Sequence, residues 1–124
     1  MKRDMELIRN ILLRFEASGS SRNSKSLLKD LAGEEAITGH LALLKDAGFV
    51  EHSVAQPSEG GVRFDLGWRI TSAGHDFLDS VRDPKIWRQT KEGAGKIGGW
   101  SLALLAELAR GYIKAKAQDL GLPL

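Results

Sequence analysis

Three histidines, His40, His52 and His75, are the side chains best suited to proton transfer near neutral pH. His75 precedes Asp76, which on paper is an acid/base pair. Adjacent residues of a helix do not face each other, so the two cannot act on one atom. His40 is expected to pack at a helix edge or to hydrogen-bond nearby backbone. Metal binding needs ligands at short recurrent spacings, and the histidines lie far apart. Cysteine is absent, which excludes disulfides, thiolate nucleophiles and cysteine-held zinc. No metal and no cofactor are expected. The run GAGKIGG at 93–99 invites a phosphate-loop reading. That motif needs glycine where Thr90 stands and Ser or Thr where Ile97 stands. The run reads instead as a flexible break between helices. Catalysis is the least supported class, and a non-enzymatic binding protein is expected.

The elements that would position these residues follow from periodicity. Residues 2–17 read as a helix with Met5, Ile8, Ile11, Leu12 and Phe15 on one stripe. ASGSSRNSKS is a Ser/Gly loop, and Ser24 or Ser26 caps a short second helix around 27–31. Glu34 and Glu35 suit the first turn of a third helix, with Ile37, Leu41 and Leu44 inward and Gly48 at its end. A strand is expected over 49–55, then a turn at QPSEGG. Val62, Phe64, Leu66, Trp68 and Ile70 alternate with Arg63, Asp65, Gly67 and Arg69. This period of two predicts a strand that buries Phe64, Leu66 and Trp68 against helices. Thr71 caps a helix over 72–81, and Asp83-Pro84 starts another at KIWRQTK. A last helix is expected from 100 to 118.

Helix, helix, two-stranded wing and helix is the order of a winged helix-turn-helix. The fold class expected is α+β, a winged helix-turn-helix with further C-terminal helices. Residues 1–82 would form its core and 83–124 a helical extension, within the same domain or as a dimerisation element. The segments MKRDMELIRNIL, HLALLKDAGFVE, ITSAGHDFLDSVRD and IWRQTK carry a further signal. Over nearly the whole chain they resemble the bacterial and phage family DUF2513, catalogued as a domain of unknown function. That resemblance implies a winged helix and association with mobile elements. It implies no activity and no functional residues.

At 124 residues the chain can bury one real core. The N-terminal MKRDMELIRN has no apolar signal core, and WSLALLAELA is too short to span a bilayer. A soluble cytoplasmic protein is expected. The formal net charge is only +2, so affinity for nucleic acid depends on clustering. In the usual docking mode the third helix enters the major groove and the wing meets flanking backbone. Thr38 and Lys45 on that helix, with Arg63 and Arg69 on the wing, are the candidate DNA contacts. Residues 18–70 nevertheless hold six Lys and Arg against seven Asp and Glu, a net of −1. Arg82, Lys85, Arg88 and Lys91 form a second basic candidate, spread broadly because three-residue steps drift around a helix. The plainer reading of that patch is a solvated helix face with Ile86 and Trp87 inward. Double-stranded DNA is the first expected partner, and a protein is the alternative. Leu104, Leu105, Leu108 and Tyr112 line the last helix and predict a homodimer resting on 100–118.

Overall fold

The computed structural model describes residues 1–57 and 59–124; Ser58, inside the expected wing tip, lies outside the described residues. Among the described residues are five α-helices, one 3₁₀ turn and one two-stranded antiparallel sheet, an α+β fold. The chain forms two compact units, 1–75 and 76–124. The sequence reading places its boundary later, at 82/83. No described helix is long and apolar enough to cross a membrane.

In the first unit, α1 spans Met5–Ala17. The Asp4 carboxylate caps it by accepting from the Glu6 and Leu7 N–H groups at 2.9 and 3.3 Å. Leu7, Ile8, Ile11, Leu12 and Phe15 form its buried stripe. The short second helix expected at 27–31 is instead a 3₁₀ turn over Lys25–Leu28, capped by Ser24. One buried residue, Leu28, anchors it, too little packing to offset the cost of nucleating an α-helix. Helix α2, Glu34–Asp46, buries Ile37, His40, Leu41 and Leu44. Gly48 follows its end at φ +78, as its position in the sequence predicts. α1 packs against the turn, α2 and the hairpin.

Strands β1, Val50–Ala55, and β2, Phe64–Ile70, form the hairpin. Pairing runs in register from Val50↔Ile70 to Ser53↔Gly67, then skips Leu66, so that Val54 opposes Asp65. This bulge moves Asp65 onto the face of His52 and Trp68 and turns Phe64 to the opposite face. The expected burial of Phe64 and Leu66 is therefore wrong. They are 56% and 38% exposed, and Val62, before the strand, is 74% exposed. Trp68 and Ile70, beyond the bulge, are half-buried.

A third stretch of backbone flanks β2. Asn23 forms an isolated antiparallel bridge with Trp68. The Asn23 N–H donates to the Trp68 carbonyl at 2.7 Å, and the Trp68 N–H donates back at 2.8 Å. The bulge glycine, Gly67, has φ +96, and a Cβ there would meet the Asn23 backbone at 3.0–3.4 Å. Only glycine fits both demands.

The hairpin base closes on α3, Ser72–Val81. The Thr71 hydroxyl accepts from the Gly74 N–H at 3.1 Å and donates to the Gly48 carbonyl. The Thr71 N–H donates to the Phe49 carbonyl at 3.0 Å. Gly74 lies so close to Phe49 that a Cβ would stand 2.0 Å from that carbonyl oxygen.

In the second unit, α4 runs from Pro84 to Ile97, with the Asp83 carboxylate capping through the Lys85 N–H at 2.9 Å. The expected break at 93–99 is not where the helix ends. Five residues of GAGKIGG extend α4, which stops at Gly98 with φ +86. Ala94 is buried, and a Cβ on Gly93 would lie 2.5 Å from the Tyr112 hydroxyl. Burial and close packing offset the roughly 1 kcal/mol that each helical glycine costs. Helix α5, Leu102–Asp119, capped by Ser101, packs on α4.

Two substitutions test this architecture. Gly74→Ala should lower stability by about 1–3 kcal/mol or more, because backbone must move. Phe64→Asp should leave the thermal midpoint nearly unchanged, within about 0.5 kcal/mol, as for other surface positions. A large loss in the second variant would put Phe64 back in the core.

Candidate nucleic-acid interface

The surface of α2 is acidic. Glu34, Glu35 and Asp46 are exposed on it against the single cation Lys45, a net of −2 over Glu34–Asp46. Glu34 and Glu35 lie in the first turn, where carboxylates complement the helix dipole. Thr38 is exposed, but its hydroxyl accepts from the Lys25 ammonium. The same ammonium lies 3.8 Å from Glu34. Lys45 is exposed at the other end.

On the hairpin, Arg69 and Glu51 are cross-strand partners. The guanidinium Nε and NH2 reach one Glu51 oxygen at 2.8 and 2.6 Å. Arg69 thus has its charge balanced by a neighbour. Arg63 is exposed and precedes β2. The four candidate contacts are therefore not equivalent: Lys45 and Arg63 face solvent, while Thr38 and Arg69 are already bonded.

A segment that the sequence alone marks only as a loop and cap stands out beside α2. Residues 18–29 carry Arg22, Lys25 and Lys29 and no acid. Serines 18, 20, 21, 24 and 26 interleave them. Asn23 and Leu28 are buried and hold the segment down, while Arg22 and Lys29 are exposed and Lys25 is half-buried. Lys25, Ser26 and Lys29 line an open cavity of about 420 Å³ with Gly33, Glu34 and Ile37 at the start of α2. Asp30, just beyond, is bonded to Arg14 at 2.6 and 3.1 Å. The signal was legible as an acid-free run. Its anchoring through Asn23 was not.

His40 and His52 serve structure, while His75 is exposed. His40 is 1% exposed. Its Nε2 accepts from the Asp4 N–H at 2.8 Å, so Nδ1 carries the proton and donates to the Ala36 carbonyl at 2.8 Å. Of the two alternatives read from the sequence, the backbone bond is the one present, and the ring is fully buried. His52 stacks on Trp68 with centroids 4.3 Å apart and 14° between planes. Trp68 spends its N–H and carbonyl on Asn23, which leaves His52↔Trp68 a non-hydrogen-bonded pair, where side chains approach most closely. His52 Nε2 lies 2.9 Å from Asp65.

In the second unit the basic candidates divide. Arg82 pairs with Asp79 at 2.7 Å, and Lys91 lies 5.6 Å from the centre of the Trp87 ring. Lys85 and Arg88 are exposed, while Ile86 and Trp87 turn inward. On α5, Leu105 is fully buried within the chain and is removed from the expected dimer stripe. Leu104, Leu108 and Tyr112 are half-buried.

A helix, a 3₁₀ turn, a second helix, a hairpin and a third helix thus define a small α+β protein with a basic strip beside an acidic helix. The chain belongs to the family described as Hypothetical protein (DUF2513), whose sequence profile matches residues 2–101. It is 34% identical over 94 residues to an uncharacterised protein of Haemophilus influenzae, covering 73% of this chain and 76% of that one. No solved structure matches the chain.

Three carboxylates are held below their ordinary range. The Gly67 N–H, then His52, lowers Asp65; the Arg14 guanidinium lowers Asp30; the Lys85 N–H, then Lys116, lowers Asp83. A carboxylate depressed in the folded state contributes stability above its unfolded pKa and loses it as pH falls through the folded value. The thermal midpoint should therefore decline with acidification below roughly pH 4. Asp65→Asn should flatten that decline, measured by circular dichroism melts across pH. An identical acid limb in the variant would remove Asp65 from the account.

Proposed function

We propose that this protein is a non-enzymatic winged-helix module that binds double-stranded DNA. The order α1, 3₁₀ turn, α2, hairpin and α3 supports the winged-helix reading. The Asn23 bridge supports it further, since it lays the segment leading into the turn against the wing. The reading of DNA rests on one observation, the acid-free Ser18–Lys29 strip beside the start of α2. Phosphate contacts dominate affinity for duplex, and they come from cations, hydroxyls and backbone N–H groups. Arg22 and Lys29 would grip one backbone and Arg63 would reach the flank, while Lys25 is already held by Thr38 and Glu34. Lys45 would contact the groove edge. Glu35, on the exposed face of α2, can accept from a cytosine amino group. Arg69 has no part, because Glu51 already balances it.

A second reading has its own support. The net −2 surface of α2 opposes phosphate, and the hairpin exposes Val54, Val62, Phe64 and Leu66. That combination suits a protein partner.

Fluorescence anisotropy against random duplex across a salt series separates the two. Three to four phosphate contacts predict a slope of log K against log salt of about −2.7 to −3.6. Arg22→Ala with Lys29→Ala should flatten it by about two units. Arg69→Ala should change neither affinity nor slope. An absence of binding at low salt, or binding insensitive to salt, would end the DNA reading in favour of the protein partner.

A further inference from the structure

Helix α5 carries two apolar faces. One is buried within the chain through Leu105, Ala106, Ala109 and Ala117. The other runs through Leu104, Leu108, Gly111 and Ala115, at steps of four, three and four. At about 100° per residue these four fall within an arc of roughly 60°. The steps are those of a coiled-coil seam, in which such positions meet a second helix. Leu104 and Leu108 are half-buried, Gly111 and Ala115 are exposed, and together with Glu107 and Tyr112 they line a shallow groove of about 460 Å³.

We propose that this groove holds the same helix of a second copy of the chain, running antiparallel about a two-fold axis. The seam is complementary to its own reversal. With Leu108 opposite the partner copy's position 111, Leu104 falls opposite position 115. Each leucine then enters a gap left by glycine or alanine, twice over by symmetry. Charge agrees with size. Glu107 and Lys114 are exposed on the same flank of the seam. Reversal brings Glu107 of each copy beside position 114 of the other, an opposite-charge pair at both ends. In a parallel two-fold pair the Glu107 flank of one copy would face the opposite flank of the other, so Glu107 and position 114 would not meet. Helix α5 begins after residue 101, where the match to the family profile ends. The dimer holds whether or not DNA is bound.

Sedimentation equilibrium of the intact chain at high micromolar concentration should give twice the chain mass. Glu107→Lys should weaken association by at least about tenfold, because it creates two like-charge contacts. Adding Lys114→Glu should restore it. Ala115→Arg fills the gap opposite Leu104 and should also give monomer. All three positions are exposed, so far-UV circular dichroism should match the parent, and melts should lose only the concentration-dependent part that association supplies. A monomer at every concentration overturns the proposal. So does a dimer indifferent to Glu107→Lys and Ala115→Arg, or one that the charge reversal fails to restore.

Discussion

The first unit depends on one backbone exchange, the paired hydrogen bonds between Asn23 and Trp68. A two-stranded hairpin alone is marginal in water. Here β2 is bounded on one side by β1 and on the other by the bridge. The buried Asn23 amide adds a bond to the same Trp68 carbonyl at 3.2 Å, and its oxygen meets the Ser18 hydroxyl. Trp68, committed to Asn23, presents its ring to His52. Gly67 gives room for the crossing strand and makes the bulge that brings Asp65 to His52. The basic strip owes its place beside the hairpin to the same crossing.

The other anchors are also short polar contacts between residues distant in sequence. His40 joins α2 to the start of α1 through the Asp4 N–H. Thr71 and Gly74 join the hairpin base to α3. Such bonds contribute about 1 kcal/mol each, and removing one partner costs more where the other is buried, as at His40. The exposed ion pairs Arg14–Asp30, Arg69–Glu51 and Arg82–Asp79 contribute less, because water and salt screen them. Their larger effect is to decide which cations remain available to a ligand.

What was legible in the sequence was what a single element fixes. Ile37, Leu41 and Leu44 with Gly48 define α2 because period and stop signal agree. Asp83-Pro84 starts α4 where a cap and proline coincide. The misreadings came where distant residues decide. The alternation from Val62 to Ile70 is real, but a skipped residue at Leu66 moves its first half to the other face. GAGKIGG reads as a break until Ala94 is seen buried and Gly93 beneath Tyr112. Leu105 and Leu108 look alike in sequence, and packing places only the first in the core. For the candidate interface, Lys45 and Arg63 were legible as exposed cations. The pairing of Arg69 with Glu51 was not, since it depends on strand register. The Ser18–Lys29 strip lacked a visible anchor because Asn23 and Trp68 are separated by 45 residues.

Amide hydrogen exchange, read residue by residue by NMR, tests the bridge most directly. If Asn23 holds the fold as described, its N–H and that of Trp68 exchange only through cooperative opening. They should then show protection equal to that of the paired amides of β1 and β2, and Asn23→Gly should reduce protection along the hairpin. Exchange of the Asn23 and Trp68 amides at the rate of an unprotected loop, with the rest of the hairpin still protected, would contradict the account.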